Sequence, residues 1–220
     1  TGQVTPPPNT TSPRRRTIAA RMLASRQETA SVTLTRRADA TNLVALRQQF
    51  QATGQGTVPS YTDIIARLAA AALREHPMLA ARWEEQEIVL ADAMHIGIAV
   101  DTEGGLLVPV LRHVDRRSLS ELAAISRELV ERARAGRLTA DEMQGGVFTI
   151  TNLGSYGIDA FTPLIHLPQA AILGLGAIRS EPVVQAGQIV VRELLTLSLT
   201  FDHRIVDGAP AARFLQSLVA

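Results

Sequence analysis

The segment Ile189 to Phe201, IVVRELLTLSLTF, constrains the fold of this chain more than any other stretch. It is dense in Leu and β-branched residues and contains neither Gly nor Pro, so it reads as one long strand in a sheet buried on both faces. Such a strand cannot stand alone; it needs neighbouring strands and an apolar layer against it. The chain supplies strands at Val32 to Leu34, Ile88 to Leu90, Ile96 to Val100, Leu106 to Leu111, Val147 to Thr151 and Ala170 to Ile178. Asp101-Thr102-Glu103-Gly104-Gly105 predicts a hairpin turn inside that set. Helical patterns lie between the strand runs. One starts after Pro13, with Ile18, Met22 and Ser25 on one face. Another covers Ala40 to Ala52, ended by Gly54-Gln55-Gly56. Tyr61 to Glu75 is Ala-rich and expected to be buried, with Pro77 as its stop. Ser118 and Glu121 form a capping box for a helix to Ala135 that Gly136 ends, and Pro210 to Val219 is the last helix. Strands in runs, separated by long helices, predict an α+β domain with a mixed sheet backed by helices.

Composition narrows the chemistry. All 22 basic residues among the 220 are Arg, and Cys is absent. Without Cys there is no disulfide framework, thiolate-bound metal or cysteine nucleophile in these residues. Without Lys there is no Schiff base and no lysine-borne PLP, biotin or lipoate. A formal charge of +1 provides no global attraction for nucleic acid or an anionic membrane, and no stretch reaches the roughly 18 to 20 apolar residues of a membrane span. The start, Thr1-Gly2-Gln3-Val4, lacks the pattern of a secretory signal, so an intracellular, non-secreted protein is expected. Residues 1–13, TGQVTPPPNTTSP, read as the end of a Pro-rich interdomain linker or an arm, and residues 14–220 as one catalytic domain. The chain is therefore expected to be a piece of something longer.

Two segments carry candidate chemistry. Asp202-His203-Arg204-Ile205-Val206-Asp207-Gly208 directly follows the long strand, which suits His203 to act as a fixed general base. Spacing alone also allows a turn with a surface ion pair, and it offers no third ligand for a metal. The second segment, GGVFTITNLGSYG (145–157), delivers hydroxyl and amide groups into a Gly-rich turn, where a hydroxyl donor can stabilise an oxyanion. It is equally readable as a hairpin corner with Thr chosen for strand propensity. Gly174-Leu175-Gly176 is too short and strand-like for a dinucleotide fingerprint. The run Arg14, Arg15, Arg16 reads either as a solvated helix start or as a phosphate-binding patch.

Together, five stretches resemble the catalytic core of the dihydrolipoamide acyltransferases of 2-oxo acid dehydrogenase complexes. They are RRRTIAARMLAS (14–25), EHPMLAARW (75–83), HIGIAVDTEGGLLVPVLR (95–112), GGVFTITNLGSYGIDAFTPLIHLPQAAILGLGAI (145–178) and TLSLTFDHRIVDGAPAARFL (196–215). They occur in the family's order, and DHRIVDG matches its active-site histidine motif.

The resemblance implies a chloramphenicol-acetyltransferase-like two-layer sandwich with a mixed sheet, assembled as a trimer. It implies acyl transfer between the thiol of dihydrolipoamide and the thiol of coenzyme A, in a complex of the pyruvate or branched-chain type, with no metal. His203 would be the general base. Thr151 stands where the family usually has the Ser that donates to the oxyanion. Asp207 stands at a position that orients the site, with Arg15 or Arg16 as its expected partner. Arg14, Arg15 and Arg16 are the expected contacts of the coenzyme A phosphates. His203 and Thr151 would come from neighbouring subunits, and trimers would build cages of 24 or 60 subunits. The lipoyl group would ride on a domain outside these residues. Lipoyl domains, a decarboxylase and dihydrolipoamide dehydrogenase are the implied partners, in the cytoplasm of a bacterium or the matrix of a mitochondrion. Two readings compete: a non-catalytic core subunit, which would be expected to lose His203, and an antibiotic acetyltransferase, which would lack the 145–178 pattern.

Overall fold

The computed structural model describes residues 12–54 and 56–219; the proposed linker therefore lies outside the described residues except for Ser12 and Pro13. In chain order the elements are helix α1 (Pro13–Glu28), strand β1 (Ser31–Asp39), helices α2 (Thr41–Thr53) and α3 (Tyr61–Glu75), strands β2 (Arg82–Glu84), β3 (Glu87–Val89), β4 (Ile96–Ile98) and β5 (Val110–Leu111), helix α4 (Leu119–Arg134), strands β6 (Phe148–Asn152), β7 (Ala171–Gln185) and β8 (Gln188–Asp202), and helix α5 (Gly208–Leu218). Six strands form one sheet in the order β1-β8-β7-β6-β4-β5, and β2 pairs with β3 apart from it. β6 runs parallel to β4 and β7 while the other pairs are antiparallel, so the sheet is mixed as expected.

Local chemistry explains the helix limits. The Ser12 side chain accepts from Arg15 N–H at 3.2 Å and Pro13 occupies the first turn of α1, so this helix begins at Pro13 rather than after it. The Ser118–Glu121 capping box starts α4 as expected, and a second one, Ser60–Asp63, starts α3. Ala66, Ala69 and Ala70 are fully buried, and their small side chains let α3 lie close to the sheet.

The alternation of β8 separates two faces. Leu195, Leu197, Leu199 and Phe201 join Ile96, Ile98, Phe148, Ile150, Leu173 and Leu175 in the core under α3 and α5. Ser198 and Thr200 face the other way, in line with Thr33, Thr149, Thr151 and Gly174. That second face is covered by the chain around Asp159 to Ile165. A Cβ added to Gly174 would press on the Phe161 ring at 3.0 Å, and one added to Gly176 would lie 1.9 Å from the Asp159 carbonyl oxygen. The two glycines thus sit in a strand and admit a crossing segment. α1 docks on that segment by donating from Ser25 Oγ to Ile165 O at 2.6 Å.

The long strand departs from the expected burial on both faces. The long strand is buried only over Leu195–Asp202; the half from Gln188 to Leu194 leaves the core with the second half of β7. Ile189 and Val191 there are 78% and 71% exposed. β1 ends its pairing at Asp39↔Leu194 and β6 at Asn152↔Leu175, so no third strand accompanies this hairpin among the described residues.

Candidate active site

The turn after β8 sorts its residues by function. Asp202 is buried, and its carboxylate accepts from Ala30 N–H (3.2 Å), Arg204 N–H (3.1 Å) and the Arg204 guanidinium (Nε 3.0 and 2.9 Å, Nη2 2.6 Å). This fork raises the Arg204 pKa above its ordinary value, chiefly through its hydrogen bond to Asp202. The Arg204 guanidinium lies 4.8 Å over the Trp83 ring. The N–H groups of Ile205 and Val206 both donate to Asp202 O, and their buried side chains anchor the turn in the core. His203 N–H donates to Ala30 O at 2.9 Å. What remains faces outward: the side chains of His203 and Asp207 are 44% and 81% exposed, with Nδ1 and Oδ1 3.6 Å apart. That distance suits an ion pair with a protonated imidazole and is long for a hydrogen bond. Asp207 sits at the N-cap of α5 without capping it, so its carboxylate is free to face the imidazole.

Thr151 lies near the end of β6, half-buried on the second sheet face, and its hydroxyl has no hydrogen-bond partner among the described residues. Its neighbours are committed elsewhere. Thr149 Oγ1 donates to Gln169 (2.7 Å), while Asn152 donates to Thr62 Oγ1 (3.1 Å) and accepts from Gly154 N–H (2.8 Å). The Asn152 bond closes the turn, and Gly154 is required there because a Cβ would lie 2.3 Å from Gly176 O.

One chain does not bring Thr151 and His203 together. Thr151 pairs with Gly174 and Gly174 with Ser198, two strands across, and His203 lies five residues beyond Ser198. Strand spacing and rise place the two backbone positions roughly 19 Å apart. The arginine run lies apart from Asp207 as well. Arg14 donates to Thr102 Oγ1 (3.3 Å) and covers Gly104, and neither Arg15 nor Arg16 pairs with Asp207 within the described chain. Inside one chain Asp207 faces His203, while α1, which carries Arg15 and Arg16, is tied to the second sheet face and α5 belongs to the other layer.

Two cavities flank these groups. One of about 290 Å³ is lined by Arg21, Met22, Val108, Gly146, His166 and Gln169. Burial, and then the Arg21 charge, hold the His166 pKa below the ordinary imidazole value. The other, of about 560 Å³, is bordered by Glu28, Trp83, Pro168, Asp202 and Arg204. Neither is lined by His203 or Thr151. Asp202 and Arg204 belong to the motif that singled out His203, and that membership was the signal for their supporting role. Trp83 left no such signal.

The fold is shared with chloramphenicol acetyltransferase (TM-score 0.55, 14% identity, covering 94% of both chains). The sequence pattern of the 2-oxoacid dehydrogenases acyltransferase family (catalytic domain) matches residues 8–220, and the chain belongs to that family. It is 44% identical over 207 residues to the dihydrolipoyllysine-residue acetyltransferase component of the acetoin cleaving system of Bacillus subtilis, covering 93% of this chain and 52% of the relative. It spans about half the length of the curated relatives it matches. The dihydrolipoamide acetyltransferase of Azotobacter vinelandii superposes with a TM-score of 0.90 at 39% identity, over 92% of this chain and 85% of that one. That structure addresses the role of a serine, a histidine and an asparagine in catalysis, which stand 52 and 4 positions apart. The cubic core of the pyruvate dehydrogenase multienzyme complex superposes with a TM-score of 0.89 at 39% identity, over 92% and 85%.

Proposed function

We propose that this chain transfers an acetyl group between the thiol of dihydrolipoamide and the thiol of coenzyme A. The observation that carries the reading is the turn after β8, which buries Asp202, Ile205 and Val206, folds Arg204 back onto Asp202 and leaves His203 and Asp207 outward beside each other. Thr151, His203 and Asp207 also repeat the intervals of 52 and 4 residues found in the Azotobacter enzyme. His203 takes the proton of the attacking thiol, and the thiolate adds to the thioester carbonyl. The Thr151 hydroxyl donates to the resulting oxyanion; collapse expels the second thiolate, which recovers the proton from His203. Asp207 balances the transient imidazolium. A general base contributes roughly 10² to 10⁴ in rate and one oxyanion donor roughly 10² to 10³. Both thiols belong to the substrates, so a chain without Cys can do this chemistry.

The reading requires an oligomer. Base and oxyanion donor must reach the same reacting atoms, which they do when His203 of one subunit faces Thr151 of the next in a trimer. The likeness to the cubic core of a multienzyme complex supports further assembly into a cage. Arg14, Arg15 and Arg16 serve the coenzyme A phosphates: three cations at a helix N-terminus oppose the helix dipole, so helix stability does not explain them. Residues 14–220 act as the catalytic domain, residues 1–13 as a linker end, and the lipoyl group arrives on another domain. The acetyltransferase names of the relatives favour acetyl over branched acyl groups, and a complex of the pyruvate or acetoin type in a bacterial cytoplasm, served by decarboxylase and dihydrolipoamide dehydrogenase components.

The test is acyl transfer from acetyl-CoA to dihydrolipoamide. His203→Ala should lower turnover at least about a hundredfold with the oligomer intact, while Thr151→Ser stays within about threefold because the hydroxyl is kept. Near-normal turnover in His203→Ala would sink the mechanism.

A further inference from the structure

We infer that Trp83 is a positioning residue for His203, acting through the Arg204–Asp202 ion pair; this rests on His203 being the general base. Little within the chain holds the imidazole itself. Its ring is almost half exposed, with Asp207 at 3.6 Å and the Phe201 ring at 5.9 Å beside it. Its direction therefore follows the backbone of the turn. That backbone is fixed at the residues on either side. Asp202 uses its carboxylate to hold Ala30 N–H and Arg204 N–H, and His203 N–H returns a bond to Ala30 O.

This arrangement depends on Asp202 staying charged and aimed. Its side chain is only 2% exposed, so it needs the forked guanidinium as counter-charge. Arg204 is different: a third of its side chain is exposed, and hydration would let it leave the fork. The Trp83 ring prevents this by covering one guanidinium face at 4.8 Å. Trp83 is itself anchored, since its backbone N–H donates to Pro168 O at 3.3 Å and its strand pairs with β3. A contact chain thus runs from a short outlying hairpin, through one ion pair, to the peptide groups that carry His203. Displacing a reacting group by about 1 Å costs up to roughly 10² in rate.

The experiment uses the assembled oligomer and acyl transfer from acetyl-CoA to dihydrolipoamide. Trp83→Ala should lower kcat about tenfold, with KM for both substrates unchanged within about twofold. Trp83→Phe, which keeps an aromatic face, should recover at least about half of the lost turnover. Arg204→Lys, which keeps the charge and loses the fork, should resemble Trp83→Ala, and the double variant should be no worse than either single one. Unchanged kcat in Trp83→Ala, or fully additive losses in the double variant, would overturn the inference; if Trp83→Ala does not assemble, the Phe and Lys variants decide it. His203→Ala separates the two levels. Turnover surviving that change refutes the general-base reading itself, whereas loss of turnover there with normal kcat in Trp83→Ala refutes only the role of Trp83.

Discussion

Two inactive variants should restore each other. His203→Ala keeps the oxyanion donor and Thr151→Ala keeps the base. In a single chain the two positions are roughly 19 Å apart along the sheet, far beyond the roughly 3.5 Å within which both must approach the reacting atoms. A working centre therefore combines Thr151 of one subunit with His203 of another. When both variants are co-expressed in equal amounts and assemble at random, about one quarter of the centres pair an intact threonine with an intact histidine, as expected for a ring of head-to-tail contacts. Acyl transfer by doubly tagged, mixed trimers, each with one such junction among its three, should recover to about one third of the wild-type rate, while each variant alone stays far below it. Purifying through both tags ensures that mixed oligomers are present. Mixed oligomers as inactive as the single variants would refute the shared centre, and so would full activity in a dissociated wild-type monomer.

Two further outcomes test the fold that supports the site. Gly176→Ala should destabilise the protein by roughly 3 kcal/mol, because its Cβ would lie 1.9 Å from a backbone oxygen of Asp159 that cannot move alone; thermal unfolding should then fall by about 6–12 °C, and an unchanged midpoint would contradict the close crossing. Stability should also decline with acid through His95. Its Nδ1 accepts from His113 N–H at 3.0 Å, and burial, then the neighbouring His113, hold its pKa below the ordinary value of 6.5. The unfolded chain thus binds the proton more readily, so the contribution is complete above about pH 6.5 and is lost as pH falls through the lower folded value. Denaturation midpoints across pH 5 to 7.5 should show a shallower acid decline in His95→Gln; an unaltered slope would refute this role.

Local patterns were legible wherever the chain states its own partner. The Ser118–Glu121 box, the helix Tyr61–Glu75 and the turn at Asp101–Gly105 follow from neighbours in sequence, and the structure has all three. The hairpin joining β7 to β8 was harder to see. Its turn uses Ala186-Gly187, both at positive φ, where Asn-Gly is the stronger signal, and Pro182 discourages a strand reading. Pro182 pairs with Val191 of β8, while on the other side of β7 the strand β6 has already stopped at Asn152, so that side needs no N–H there. β2 carries no strand signal either: three residues are too few for a period, and its turn places Glu85 and Gln86 at positive φ.

By itself the sequence determined the α+β class, and it placed His203 and Asp207 together in the turn after the long strand, because these depend on periodicity and on residues a few positions apart. It also excluded cysteine and lysine chemistry from these residues. Only the tertiary structure decided the strand order, the crossing segment that Gly174 and Gly176 admit, the stacking of Trp83 on Arg204, and the distance that keeps Thr151 from His203 within one chain. Each of those joins residues far apart in sequence, and such contacts arise from packing two layers around a shared core rather than from any local preference of the chain.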